Sequence, residues 1–532
     1  MFVRVKRSVQ NGAAYEYLQV VESFRDRGQP RQRVIATLGR RDVLVASGVL
    51  DGLLRSLAKF SEKLRVVEAV RTEGLRARSS KVWGSALVFG RLWESQGLSD
   101  IVGRLAQGRK FGFDPERVAF ALALQRLCCP GSDLQGSAWV RTVEAEGLER
   151  IALQHLYRTT GFLAEVREEL EWELFERDRD LFTQQLDLVF LDTTSVFVYR
   201  SEETEWRKRG YSRERRPEAP QLVLAVAVNG EGWPVCWEVF PGHTADQKAL
   251  AAMVAKMRQR FRIERVIVVA DRGMMSGKSL EVLTDHREAP YGYILGCRMR
   301  QQKEVREEVL GRAGRYREVA TNLKVKEVKV QDRRYIVCLN EEEARKDAAD
   351  RRALLERLHQ ILENKGAKAL VGNKGFARYL RIDGGSVHIN EQAVEADARL
   401  DGKFVLRTNT GLSAEEVARA YKSLWRVERT FREEKSTLKV RPIFHHRDDT
   451  SIGHIVASFL ALRLEVDLQR RLEEKEVEVS WPDLMRDLNQ VQAVRVELDG
   501  KSYLLRTDLE GVAHQAFTAA GVRPPPIVTA LN

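Results

Sequence analysis

Between residues 185 and 297 the hydrophobic pattern changes period in a fixed order, and that order restricts the fold more than any other feature of the chain. LDLVFLDTTSVFV reads as a strand. QLVLAVAV, an Asn-Gly-Glu-Gly turn and WPVCWEVF read as a hairpin. ADQKALAAMVAKMRQRF reads as a helix, IERVIVVA as a strand, SLEVLTDHRE as a helix and YGYILGC as a strand. Short β-branched runs argue strand, and the longer 3.6-residue patterns argue helix. Three consecutive strands followed by alternating helices and strands suit an α/β fold, a mixed sheet with helices on its faces.

Two of these strands carry a carboxylate where the apolar run gives way. Asp192 stands in VFLDTTS, and Asp271 ends the run VIVVA. A buried charge is costly unless it is paired or holds a metal. In this topology the strand after the first helix packs beside the first strand, which places Asp271 next to Asp192. A third acid, Glu428, lies in YKSLWRVERTFREEK, within a helix anticipated at 413–438. Ser413 and Glu416 form a capping box for it. Val417, Ala420, Leu424, Val427 and Phe431 form its apolar stripe. Tyr421, Glu428 and Lys435 are spaced to fall on one helical face bordering that stripe, so Glu428 is expected at the edge of the core, within reach of the sheet.

Three such carboxylates need a counter-charge. Mg²⁺ prefers oxygen ligands and is held by a few carboxylates together with substrate phosphate. A pair of such ions serves in-line phosphoryl displacement. The formal net charge of +12 favours a polyanionic partner, nucleic acid first and an acidic membrane surface second. Together these point to chemistry on DNA strands.

With those residues in view, the chain resembles the DDE transposases of bacterial insertion sequences, in the branch with a Y-x2-R-x3-E-x6-K signature. Tyr421, Glu428 and Lys435 stand at that spacing, and Leu424 occupies the Arg position. Asp192-Thr193-Thr194 matches the family's D-T-T, and Asp271-Arg272-Gly273 its D-R-G. The likeness spans roughly 185–460. It implies a ribonuclease H-like fold with a β-rich insertion before the catalytic Glu, and residues 298–405 fit that insertion. It implies that Asp192, Asp271 and Glu428 hold two Mg²⁺ ions, with Mn²⁺ as a substitute. The enzyme would bind terminal inverted repeats, cut the transposon ends and join the 3′-hydroxyl to target DNA, as a homodimer in the synaptic complex. Tyr421 and Lys435 would contact the DNA backbone near a flipped base, with Arg272 as a further DNA contact. Arg432, one turn past Glu428, is the candidate replacement for the missing Arg. Relatives stack a Trp on the flipped base. No Trp occurs here between Trp237 and Trp425, which leaves Tyr316, Tyr335, Phe376 or Tyr379.

The flanking regions are less specific. Residues 1–47 look β-rich, with a hairpin turn at Asn11-Gly12 and a second turn at Arg27-Gly28-Gln29-Pro30. Residues 48–182 turn helical, with Asp114 and Pro115 opening one helix, and would house a DNA-end reader. The expected spans are then 183–297 and 406–470 for the two parts of the catalytic core, 298–405 for the insertion and 471–532 for a C-terminal region with a loose end at the three prolines 524–526. Five scattered cysteines, no C-x-x-C pair, no apolar run near ~18 residues and no signal-like N-terminus suggest a cytoplasmic, nucleoid-associated protein.

Each signal also has a plainer explanation. Either Asp could cap a turn or pair with an Arg, and Glu428 could be a solvated helix residue. Tyr421 could be a packing residue, and Lys435 part of a solvated basic face. Gly242-His243-Thr244-x-Asp246 resembles a family G-N-T-x-D turn, with Asp246 read as a helix N-cap. Residues 200–216 hold seven Arg/Lys and four Glu with Trp206 and Tyr211 between them, which suits either nucleic acid or a solvated loop. Adjacent His445 and His446 lack metal-ligand spacing. Cys297 and Cys338 read as core. The rivals to a transposase are a metal-dependent nuclease on the same fold and a DNA-binding descendant with a dead site.

Overall fold

The computed structural model describes the chain apart from residues 11–12, 27–28, 59–74, 183–187, 214, 262, 264–265, 275, 285–290, 366–376, 384–385, 433–434, 436, 499–500 and 532. The N-terminus forms a three-stranded antiparallel sheet of β1 (Phe2–Gln10), β2 (Ala13–Asp26) and β3 (Gln29–Arg40). Gln10 pairs with Ala13 across the expected hairpin. The turn residues Asn11 and Gly12, and Arg27 and Gly28 of the second turn, lie outside the described residues. Two short helices follow, α1 (Arg41–Ala46) and α2 (Val49–Ala58). The helical period anticipated from residue 48 then fails at β4 (Leu75–Val82). That segment is a strand because it pairs with a strand from the far end of the chain, and tertiary pairing overrides local propensity.

Six helices come next: α3 (Gly84–Ser95), α4 (Leu98–Ala106), α5 (Pro115–Cys128), α6 (Asp133–Trp139), α7 (Leu153–Glu165) and α8 (Arg167–Phe182). The Asp114 side chain accepts the N–H groups of Glu116 and Arg117, so α5 is capped as expected.

The run 185–297 folds in the order read from the sequence: β5 (Leu188–Phe197), β6 (Gln221–Asn229), β7 (Pro234–Pro241), α9 (Asp246–Gln259), β8 (Ile267–Ala270), α10 (Gly277–Thr284) and β9 (Gly292–Gly296). β5, β6 and β7 are antiparallel neighbours, and β8 pairs parallel to both β5 and β9. Every residue of β6 is buried, as the unbroken QLVLAVAV requires of a strand covered on both faces. Leu250, Met253 and Met257 of α9 join Leu191, Ala225, Val268 and Leu295 of the sheet in one core. A fully buried side chain of this size contributes roughly 1.5–3 kcal/mol.

The segment 298–405 supplies β10 (Arg317–Ala320), β11 (Leu323–Val330), β12 (Arg333–Leu339), α11 (Glu341–Lys365), the hairpin β13 (Leu380–Asp383) and β14 (Ser386–Ile389), α12 (Glu391–Ala398) and β15 (Lys403–Thr408). Four of these strands extend the central sheet, because β15 pairs with β9 on one side and β12 on the other. The result is a nine-stranded sheet ordered β10-β11-β12-β15-β9-β8-β5-β6-β7.

The helix anticipated at 413–438 is two helices, α13 (Ala414–Lys422) and α14 (Trp425–Arg432). The capping box at Ser413 and Glu416 forms. At Ser423 and Leu424 the backbone tightens, and the Leu424 N–H bonds the Tyr421 carbonyl only three residues back. The stripe Val417, Ala420, Leu424, Val427 and Phe431 is buried. Then comes α15 (Asp448–Glu473), largely buried along its length. Within it Arg463 bonds Asp178 at 2.9 Å and lies over the Trp233 ring. Last are α16 (Trp481–Gln490), β16 (Gln492–Leu498), β17 (Lys501–Arg506), α17 (Ala513–Ala520) and β18 (Val528–Leu531). The three prolines lead into β18, which pairs with β17, so the C-terminus is not a loose end. β18, β17, β16 and β4 form one sheet.

The chain divides into two compact units. One comprises residues 1–84, 479–517 and 523–532, and the other 85–478 with 518–522. The helices of 85–182 thus share a unit with the nine-stranded sheet, and both chain ends contribute to the other unit. No helix among the described residues is long and apolar enough to cross a membrane.

Candidate active site

Leu191 of β5 lies opposite Ala270 of β8 in parallel register, so Asp192 and Asp271 continue from one paired position on neighbouring strands. Asp192 keeps its side chain 17% exposed, and its Oδ1 accepts the Thr193 N–H at 2.7 Å. Asp246 opens α9; Ala245, not Asp246, is the N-cap. The Asp246 Oδ1 accepts the Thr193 hydroxyl at 2.6 Å. Its Oδ2 faces Gly273, where an added Cβ would stand 3.3 Å away. Arg213, from the β5–β6 loop, places its guanidinium 3.7 Å from Asp192 and 3.2 Å from Asp246. Burial raises the Asp192 carboxyl to about 6; Arg213 and the Thr193 N–H oppose the rise, while the charges of Asp271 and Asp246 add to it. Lys435 stands near this group: burial lowers its ammonium, Arg213 lowers it further, and Asp192 opposes.

Tyr421 points inward. Its hydroxyl donates to Asp271 Oδ1 at 2.9 Å, and its ring stacks on Phe404 at 5.8 Å. Burial beside the Asp271 charge pushes the phenol well above its usual range. The seat depends on Gly296 of β9, because a Cβ there would stand 2.5 Å from the Tyr421 hydroxyl. Glu428 differs. It is exposed on α14, which packs against β5 and β6 and buries Val427, Thr430 and Phe431. The turn at Ser423–Leu424 breaks the single helical frame that was expected to align Tyr421, Glu428 and Lys435. Among the described residues no hydrogen bond or ion pair joins Glu428 to Asp192 or Asp271. Leu424 is 5% exposed and belongs to the core. Arg432 is exposed one turn beyond Glu428, and Arg272 is exposed with its carbonyl accepting from Arg298 at 3.1 Å.

The expected stacking aromatics are not available as a set. Tyr335 is 2% exposed with its hydroxyl on Glu304, and Tyr379 is 1% exposed with its hydroxyl on Asp397. Tyr316 packs part-buried against the core, and Phe376 lies outside the described residues. Cys297 and Cys338 are core, as expected.

A family model described as "Transposase DDE domain" matches residues 183–464, more than half of the chain. The chain belongs to the DDE transposase family. A second model, "IS1634 family transposase, N-terminal domain", matches residues 3–73 and places the transposase among those of insertion sequences. No curated protein matches the sequence.

The oxygen-only donors of Asp192, Asp246 and Asp271 fit a hard divalent cation of the kind DDE transposases use, and a guanidinium already neutralises two of them. A second group, Asp133, His445 and His454, is buried with its ligand atoms within 4.8 Å of one another. There the Arg126 guanidinium donates to His454 Nδ1 at 3.0 Å and pairs with Asp133 at 3.3 Å. His454 Nε2 donates to the Val440 carbonyl at 3.0 Å, and the Thr160 hydroxyl donates to Asp133 at 2.9 Å. Both His454 nitrogens are engaged and a cation is in place, so this is a buried ion network with its histidine already committed.

The structure brings Asp192, Asp271 and Tyr421 together, as the sequence predicts, and adds Asp246 and Arg213 beside Asp192, which the sequence does not place there. The helix-opening position of Asp246, one residue past Thr244-Ala245, was the available signal for the first. Arg213 had none beyond its basic loop.

Proposed function

We propose that this transposase binds the inverted repeats of its element, cuts their ends and joins the freed 3′-hydroxyl to target DNA, acting as a homodimer on a ribonuclease H-like core. The observation that carries the reading is the Asp192–Asp271 pair on adjacent parallel strands in a chain of this family. The strand order β7-β6-β5-β8-β9, with β7 antiparallel to β6 and β8 and β9 parallel to β5, supports the fold. Asp192 and Asp271, with Glu428 from the helix crossing β5, would hold two Mg²⁺ ions. Bound there, such ions supply Lewis-acid activation of the attacking oxygen and stabilisation of the leaving oxygen. Tyr421 orients Asp271 through its hydroxyl. Lys435, Arg272 and Arg432 contact DNA phosphate, which the excess positive charge also draws in.

The test is cleavage and joining of DNA carrying the element's inverted repeats, in Mg²⁺ or Mn²⁺, by the full chain and by Asp192→Asn, Asp271→Asn and Glu428→Gln. The reading expects cuts at the repeat ends, reduced on the order of a hundredfold or more in each variant. Cuts without end preference would favour a nuclease on the same fold. Binding without cutting would identify a dead-site descendant, the rival that the exposure of Glu428 and the burial of Leu424 favour.

A further inference from the structure

The loop between β5 and β6 is anchored immediately before Arg213. Lys208 and Gln221 exchange backbone hydrogen bonds at 3.2 and 3.0 Å, and the Gly242 N–H donates to the Trp206 carbonyl at 3.0 Å. The Gln221 side-chain amide donates to the carbonyls of Tyr211 at 3.1 Å and Gly242 at 2.8 Å. The backbones approach so closely that only glycine fits. A Cβ on Gly242 would stand 2.0 Å from the Gln221 carbonyl oxygen, and one on Gly210 would stand 2.2 Å from that of Gly242. The Arg213 N–H then bonds the Ser195 hydroxyl of β5 at 3.3 Å. Arg213 is therefore presented by a fixed backbone.

Both terminal nitrogens of its guanidinium are engaged. One terminal nitrogen donates to the Thr193 carbonyl and lies 3.7 Å from Asp192. The other donates to the Thr193 hydroxyl at 2.8 Å and to Asp246 Oδ1 at 3.2 Å. Thr193 in turn donates its hydroxyl to Asp246, so Asp246 is tied to the residue that follows Asp192. The other Asp246 oxygen faces Gly273, two residues past Asp271. A single cation thus bridges two carboxylates of different elements beside a third, which is the electrostatic task of a divalent metal at such a centre.

We propose that Asp246 is a further carboxylate of the acidic centre, and that Arg213 is its counter-ion in the metal-free protein, displaced onto DNA phosphate when a divalent cation binds. The inference rests on the proposed function. A guanidinium stays charged across the accessible pH range, so it cannot yield by losing its proton. It yields by exchange, because a divalent ion offers twice the charge to the same oxygens. Its fork matches a phosphate as well as a carboxylate, which gives the displaced side chain a destination on the substrate.

Binding of Mg²⁺ to the full chain without DNA, followed by calorimetric titration, tests this with Arg213→Gln, Arg213→Lys, Asp246→Asn and Asp192→Asn. Removing the competing charge in Arg213→Gln is expected to tighten Mg²⁺ binding on the order of tenfold, and losing a ligand in Asp246→Asn to weaken it by a similar factor. Arg213→Lys keeps the charge, loses the fork and is expected between wild type and Arg213→Gln. It also preserves a cation should the Gln variant fold poorly by circular dichroism. Unchanged or weaker binding in both Arg213 variants would overturn the counter-ion role, and unchanged binding in Asp246→Asn would overturn the carboxylate role. If Asp192→Asn abolishes binding while the other variants are neutral, this inference fails and the proposed function stands. If wild type binds no Mg²⁺ without DNA, this inference fails, while the proposed function is decided by the end-cutting assay, where substrate phosphate completes the site.

Discussion

At the scale of single residues, Asp192 is held in a position that opposes its own charge. Its carboxyl titrates near 6 instead of its ordinary value because burial and two neighbouring acids outweigh Arg213 and the Thr193 N–H. A folded-state value raised above the unfolded one means that stability is fully present below the unfolded value and is lost as pH rises through the folded one. In chelator, the melting-temperature advantage of Asp192→Asn over wild type should therefore grow between about pH 4 and pH 7, by the equivalent of roughly 2 kcal/mol. A difference that shrinks over that window would contradict the account. Tyr421 makes the second residue-scale prediction. Tyr421→Phe removes one hydrogen bond to a charged acceptor, so end cutting should fall about tenfold or more while the melting temperature changes little. Gly296→Ala should reproduce that loss, because its Cβ would collide with the same hydroxyl; full activity in both variants would remove Tyr421 from the site. The two aspartates were legible in the sequence because each breaks a buried apolar run, Asp192 within β5 and Asp271 directly after β8. Asp246 and Arg213 were not, because their partners come from different elements and no local spacing encodes them.

At the scale of elements, the segments whose own pattern fixes their conformation were legible: β5 through β9, the cap of α5 and the capping box of α13. Those fixed by distant partners were not. LRARSSKV becomes a strand only because β16, some four hundred positions later, pairs with it. The tightening at Ser423 and Leu424 escaped notice because the buried stripe continues through it without a break. α15 is buried on all sides and offers no amphipathic period to read. It crosses α7 at Gly453, where a Cβ would stand 1.8 Å from the Thr160 carbonyl oxygen. Gly453→Ala should therefore lower the unfolding free energy by about 1–3 kcal/mol in denaturant titration. Gly103→Ala, in α4 with nothing within 4 Å of its Cβ, should be neutral or stabilising by up to about 1 kcal/mol. Equal losses in the two variants would mean that close packing at α15 is not what Gly453 serves.

At the scale of the whole molecule, the family likeness and the charge agree on DNA. Affinity for duplex DNA should fall steeply with salt, by about a thousandfold or more between 50 and 200 mM if six or more phosphates are neutralised; an affinity insensitive to salt would contradict that use of the net charge of +12. The unit holding both chain ends could not be read from the sequence, since its sheet joins β4 to strands beyond residue 490. The central claim is that the carboxylates of Asp192, within β5, and Asp271, directly after β8, hold the divalent metal. Anomalous scattering from crystals of the full chain soaked in Mn²⁺ tests it most directly. The account predicts a manganese peak bounded by the carboxylates of Asp192 and Asp271. A peak at Asp133, His445 and His454 with none between the two aspartates would contradict it.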